Sequence, residues 1–343
     1  MKHHLNTLFV STQGAYLAKE GQAVVIRVDK EVRLRVPLHT LDGIICFGQI
    51  SCSPYLLGAC ADNDVAVTLM TEHGQFLARV TGFSPGNVLL RREQFRRADS
   101  VTAAAEIARA VVLSKIANSR TVLLRAARDH PNKTDAVALQ QAATHLNRCL
   151  SDALRTAEVD TLRGVEGEAA RVYFGVFNHL ITAQKDDFTF HMRSRRPPLD
   201  NINALLSFLY ALLAHDARSA CESSGLDAAV GFLHADRPGR PGLALDLMEE
   251  FRAFLADRLA LSLINRRQVH ASGFHRSESG GVEMDDATRK AVLVSYQKRK
   301  QEEIRQPFLG ETITVGLLLH MQARLLARHL RGDLDAYPPF IWK

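Results

Sequence analysis

GFSPGNVLLRREQFRRADS, residues 82–100, separates two kinds of sequence. Gly82, Pro85, Gly86 and Asn87 punctuate its first half, as chain breaks do. Arg91, Arg92, Arg96 and Arg97 follow as a basic run. Upstream, QAVVIRVD (22–29) and EVRLRVPL (31–38) are short and β-branched. The second alternates, with Val32, Leu34, Val36 and Leu38 on one face and Arg33 and Arg35 on the other, the mark of a half-buried strand. DVAVTLMTEHGQFLARV (64–80) predicts two strands turning at His73-Gly74, and SPYLLGACADND (53–64) a short helix between. Downstream, apolar residues recur at steps of three and four, predicting helices over 101–129, 135–159, 161–183, 200–224, 243–265, 284–304 and 314–332. Breaks fall at Pro131-Asn132, KDDFTFHMRSRRPP, DRPGRPG and SESGG. The expected fold class is α+β. A β-rich domain (1–90) leads through a linker (91–100) into an all-helical domain (101–343).

Bulk numbers bound the function. The chain has 343 residues, 46% hydrophobic, enough for a sizeable core. A net charge of +6 suits a phosphate-rich partner. Five cysteines without a CxxC indicate neither a disulfide framework nor a zinc ribbon, and fit free thiols in a reducing cytosol. MKHHLNTLFV lacks the h-region of a signal peptide, and no apolar run is long enough for a membrane span. The expectation is therefore a cytoplasmic protein without a membrane partner. No GxSxG elbow, Walker A motif or GxGxxG is present.

Three stretches carry candidate chemistry. In RGVEGEAARVYF (163–174), the apolar stripe is Leu162, Val165, Ala169, Val172, Val176 and Leu180. Glu166 runs along its flank, in register with Ala169, Ala170, Tyr173 and Phe177. Gly164 and Gly167 each weaken the helix by about 1 kcal/mol relative to alanine, and small residues there let a backbone, ligand or ion approach. In GFLHADRPGRPGLALDLMEEFR (231–252), an apolar run ends at His234. A Pro/Gly-rich loop then leads to a helix with Asp246 and Glu249 about 60° apart around its axis. Two such acids repel unless a cation, Arg252 or a metal ion, lies between them. One imidazole with two carboxylates suits Mn²⁺ or Mg²⁺ better than zinc. The third feature is cationic: Lys185, Arg193, Arg195 and Arg196 beside Phe188 and Phe190, and Lys298, Arg299, Lys300 and Arg305 near Tyr296. Basic groups beside aromatics suit a nucleic-acid backbone and unstacked bases.

LRGVEGEAARVYF, RPPLDNINALLSFLYALL and GFLHADRPGRPGLALDLMEEFR, in this order, resemble CRISPR-associated protein 1, the integrase subunit of spacer acquisition, and most of all its type I-C form. The resemblance runs from the β-rich start to LRGDLDAYPPFIWK. It implies an N-terminal β-domain that dimerises, a helical catalytic domain, and a partner, CRISPR-associated protein 2. It also implies a Mn²⁺ or Mg²⁺ site made by Glu166, His234 and Glu249, with Asp246 as a further candidate ligand. The implied activity is metal-dependent endonuclease and integrase action on double-stranded and branched DNA, joining protospacer 3′-hydroxyl ends into a CRISPR repeat by transesterification. Lys185, Arg193, Arg195, Arg196, Arg252, Lys298 and Arg299 are the candidate DNA contacts. Two alternatives stay open: a non-catalytic DNA-binding scaffold and a stand-alone structure-selective nuclease.

Overall fold

The computed structural model of the chain describes residues 6–63, 65–72, 76–80, 82, 88–132, 134–278 and 280–342. The expected turn at His73-Gly74 and the punctuation at Pro85, Gly86 and Asn87 lie outside the described residues.

Two four-stranded sheets form the N-terminal part. β1 (Asn6–Val10) opens the second sheet. The first is a meander, β2 (Tyr16–Glu20), β3 (Ala23–Val28) and β4 (Glu31–Pro37), extended by β6 (Ser51–Cys52), which pairs parallel to β2, while β5 (Leu41–Phe47), between them in sequence, belongs to the second sheet. After α1 (Pro54–Asp62), capped by the Ser53 hydroxyl, come β7 (Ala66–Met70) and β8 (Phe76–Val80). The second sheet has the order β1-β5-β7-β8, parallel except for β8. Its central strand is apolar on both faces, as a strand covered on both sides must be. Ile44 and Cys46 pack with Leu17, Val24 and Leu56 between the sheets. Ile45 and Phe47 turn the other way into the helical core, where Phe47 meets Phe208 at 5.9 Å between ring centroids.

The basic run of 91–97 is itself helical: α2 (Val88–Asp99) runs nearly into α3 (Val101–Asp129), which Ser100 caps. Buried Gln94 on α2 donates to the Asp227 and Val230 carbonyls and accepts from Asp227 N, tying α2 to the irregular segment that leads to His234. At 29 residues α3 is the axis of the domain. It packs against α4 (Ala136–Arg155), α5 (Val159–Gly175) and α7 (Gly242–Phe251), while α6 (Asn201–Ser223) lies across α7. The long helix expected over 243–265 is interrupted. After α7 comes a π-helical segment, Arg252–Asp257, then α8 (Arg258–Asn265). Such wide turns recur at functional sites. The remaining helices are α9 (Asp286–Gln301) and α10 (Leu318–Leu330). Two short antiparallel ribbons, β9 (Phe274–Arg276) with β10 (Val282–Met284) and β11 (Glu303–Arg305) with β12 (Thr312–Thr314), accompany them.

The C-terminal tail closes the core beneath α7. Phe340 stacks on Phe251 and meets Phe254 edge-on, and Trp342 lies between the guanidinium groups of Arg125 and Arg258. Asn118 of α3 accepts from Trp342 N and donates to the Phe340 and Glu250 carbonyls. Phe340 is wholly buried. Phe340→Ala is expected to lower stability by about 3–5 kcal/mol, seen as a lower denaturant midpoint.

Glu250 accepts from Tyr337 OH, Phe340 N and Gln322 Nε2. Burial outweighs these donors and pushes its carboxyl up to about 8. A raised carboxyl favours the fold while it is protonated. Its contribution is full below the ordinary carboxylate range and is lost as pH rises through about 8. Glu250→Gln is therefore expected to flatten the loss of stability between roughly pH 5 and 8, checked by unfolding at a series of pH values.

Candidate metal centre

The buried line of α5, Leu162, Ala169 and Tyr173, continues into Phe177 of the 3-10 turn that follows, and partly buried Glu166 falls on it. Val165, Val172 and Val176, expected at the stripe centre, are only half-buried. The carboxylate therefore leans further inward than its flanking position implied. Nothing lies within 4 Å of where a Cβ would stand on Gly164 or Gly167, so no backbone of this chain packs there.

Glu249 comes from α7 and is 5% exposed. It meets Glu166 through a residue that the sequence motifs did not mark. Lys115 of α3 places Nζ 2.7 Å from Glu249 Oε2 and in contact with Glu166 Oε1. Arg252 grips the same Glu249 carboxylate with Nη1 at 2.7 and 3.0 Å, and its own guanidinium lies 4.3 Å from the centre of the Tyr210 ring. Burial pushes the Glu249 carboxyl up, but Arg252 and then Lys115 outweigh it and hold it well below the usual carboxylate range.

His234 also adds to the field at Glu249. Its ring is held from behind. Nδ1 lies 2.6 Å from Asp246 Oδ1, and the same carboxylate accepts the backbone N–H groups of Phe232 (2.6 Å), Leu233 (2.9 Å) and His234 (3.0 Å). Asp246, the further candidate ligand, thus spends its two oxygens on four donors and is fully buried. This arrangement fixes the imidazole tautomer with the proton on Nδ1 and leaves Nε2 as the basic atom, as in metal sites where a carboxylate orients a ligating histidine. Two carboxylates and one imidazole nitrogen are the hard, mixed donors that Mn²⁺ and Mg²⁺ accept, and an ammonium already sits between the carboxylates. Among the described residues no three His, Cys, Asp or Glu side chains stand closed up as a ready-made cage.

The cationic candidates divide by burial. Lys185, Arg195, Arg196 and Lys298 are exposed. Arg299 is half-buried and paired with Glu302. Arg252 is 8% exposed and committed to Glu249, which removes it from the outer surface. Arg193 is turned inward, donating to Asn203 Oδ1 and Ser207 Oγ. The aromatics read as stacking platforms are core residues instead. Phe188 packs edge-on to Phe274, Phe190 sits against Phe174 and Phe177, and buried Tyr296 donates to Asp216.

A cavity of about 1410 Å³ lies between the second sheet and the helices, lined by Arg79, His215, Lys300 and the 236–241 loop, and excludes Glu166 and Glu249. A cavity of about 20 Å³ borders Lys115, Tyr173, Arg252 and Asp257, room for one water.

The chain as a whole matches known proteins. The family model "CRISPR associated protein Cas1" matches residues 8–298. CRISPR-associated endonuclease Cas1 1 of Chlorobaculum tepidum is 57% identical over 343 residues, covering 100% of both chains. Among solved structures, a casposase bound to integration product superposes with a TM-score of 0.84 at 22% identity, over 98% of this chain and 94% of that one. The Cas6-RT-Cas1–Cas2 complex contains a chain that superposes with a TM-score of 0.81 at 24% identity, over 98% of this chain and 36% of that one. These two likenesses show the fold. By the span of its match and the identity of its relative, this chain belongs to the Cas1 family of CRISPR-associated proteins.

Proposed function

We propose that this protein is a metal-dependent DNA endonuclease and integrase of spacer acquisition, most like the type I-C form, which joins protospacer 3′-hydroxyl ends into a CRISPR repeat by transesterification. The observation that carries the proposal is the convergence of Glu166 and Glu249, from separate helices, on the Lys115 ammonium, with the Asp246-oriented His234 imidazole close enough to act on the Glu249 carboxylate. Membership of a family whose relative is named an endonuclease supports it.

Glu166, Glu249 and His234 Nε2 would hold Mn²⁺ or Mg²⁺. When bound, the ion supplies Lewis-acid stabilisation of the charge that develops on the scissile phosphate. The chain's own groups do the rest. Asp246 keeps the His234 proton on Nδ1, so the ring offers a lone pair and not a proton. Arg252 keeps Glu249 ionised and fixed in direction. No side chain need attack the phosphate, since the 3′-hydroxyl or water is the nucleophile. Exposed Lys185, Arg195, Arg196 and Lys298 would hold phosphates of double-stranded or branched DNA through charge alone.

The proposed assembly is a homodimer working with CRISPR-associated protein 2. On the edge strand β4, Val32 is 52% and Leu34 44% exposed, an apolar face that this chain leaves uncovered. A neighbouring fold is part of a complex with Cas2. No helix among the described residues is long and apolar enough to cross a membrane.

The test incubates the protein, with and without that partner, with duplex DNA and a repeat-bearing plasmid. Joined products support integration; cut but unjoined DNA under every condition supports the stand-alone nuclease. Converting Arg195 and Arg196 together to alanine is expected to weaken binding to all sequences and to reduce the slope of log K against log[salt] by about 2. An unchanged slope would return this loop to a merely solvated surface.

A further inference from the structure

The carboxylate cluster is electrically complete before any ion arrives. Glu166 and Glu249 bring two negative charges, and Lys115 and Arg252 two positive ones, joined in a chain of contacts from Glu166 through Lys115 and Glu249 to Arg252. The charge of Asp246 lies behind the imidazole, spread over three peptide N–H groups and Nδ1. A divalent ion seated on Glu166 and Glu249 would meet the Lys115 ammonium at contact distance, where like charges repel strongly.

The two cations differ in freedom. Arg252 is 8% exposed, doubly bonded to Glu249 and laid against the Tyr210 ring. Lys115 rises from the buried stripe of α3 on a flexible four-carbon stem, and its side chain keeps 11% exposure. A lysine of this kind reorients where a stacked guanidinium does not.

We infer that Lys115 is the internal counter-ion of this site and exchanges with the divalent cation. Its ammonium leaves the space between Glu166 and Glu249 when the metal enters, and a nucleic-acid phosphate arriving with the metal receives it. The inference rests on the metal-site proposal above. It makes Lys115 a positioning residue that couples two ligands. Metal binds weakly to the free protein because it must displace a resident cation. It binds more tightly with DNA present, because the phosphate offers the displaced charge a new partner. By reciprocity the metal tightens DNA binding by the same factor.

The test follows free Mn²⁺ by electron paramagnetic resonance as the full-length protein is titrated, with and without a short duplex. For the wild type, the duplex is expected to raise Mn²⁺ affinity by about tenfold or more. Lys115→Met is expected to bind Mn²⁺ about tenfold more tightly than the wild type without DNA, and to gain less than about threefold from the duplex. Lys115→Arg, which keeps the charge, should stay weak without DNA. A simple structural staple would behave otherwise: Lys115→Met would melt earlier and bind Mn²⁺ no more tightly, overturning the exchange. Should Lys115→Met fail to fold, wild-type affinity that is equal with and without duplex overturns it as well. Glu166→Ala separates this from the underlying assignment. If that variant keeps wild-type Mn²⁺ affinity, the metal site itself is misplaced. If it loses Mn²⁺ while Lys115→Met shows no gain, only the exchange fails.

Discussion

Glu166→Ala is expected to reduce Mn²⁺-dependent nicking and strand joining by about 10²–10³-fold or more, the scale for removing one group that stabilises transition-state charge. The fold and the duplex binding measured without metal should survive. The Glu166 side chain is 26% exposed, and its removal leaves Lys115 still paired with Glu249, so no buried charge is orphaned. The cost in stability should stay near that of a partly exposed ion pair, about 1 kcal/mol. Glu249 is a poorer probe. Its loss leaves Lys115 on Glu166 but strands the buried Arg252, and breaking a buried pair costs about 3–5 kcal/mol. Joined-product yield, melting temperature and duplex affinity measured on one preparation decide the matter. Normal joining by Glu166→Ala would remove this carboxylate from the chemistry.

Asp246→Ala is expected to fail differently, losing stability and activity together. It leaves the N–H groups of Phe232, Leu233 and His234 without their acceptor in a buried site. Each such loss costs about 1–3 kcal/mol, so the sum approaches the whole stability of a domain. Asp246→Asn is the gentler version. Its amide keeps one accepting oxygen where the carboxylate offers two, and it no longer fixes the His234 tautomer. Mn²⁺ affinity should fall about 10–100-fold, as for other groups that orient a ligating histidine. Melting in chelator separates this from direct ligation. A plain ligand would leave the metal-free melting point intact, whereas Asp246→Asn should lower it. A metal-free melt identical to wild type would show that the carboxylate does not hold the 232–234 turn.

The change from strand to helix was legible because the two periods, two and 3.6 residues, differ sharply on either side of residues 82–100. The parallel core of the second sheet was less so. LDGIICF is apolar on both faces and has no alternation to read, because one face meets the first sheet and the other the helices. Glu166 and Glu249 were visible as acids at apolar positions. The distinct role of Asp246 was not, since it depends on three backbone N–H groups turning back from a loop. Lys115 was missed although a signal existed. Ala104, Ala108, Val111, Lys115, Asn118 and Val122 follow steps of four and three along one buried line of α3. A lysine and an asparagine on such a line need partners. Only the third dimension shows that these lie 51 residues away at Glu166 and 222 and 224 residues away at the Phe340 and Trp342 backbone. The exposed apolar face of β4 marks the reverse limit, since alternation predicts a partner surface but not whether the same chain supplies it.

The docked tail has a consequence for synthesis. While a nascent chain has grown only to residue 336, the pocket formed by Phe251, Phe254 and Asn118 has nothing to fill it, and Glu250 has neither Tyr337 nor Phe340 to bind. The wall behind Glu249 is then unfinished, so chains that stop short of the tail are expected to present that carboxylate from a helix without its backing.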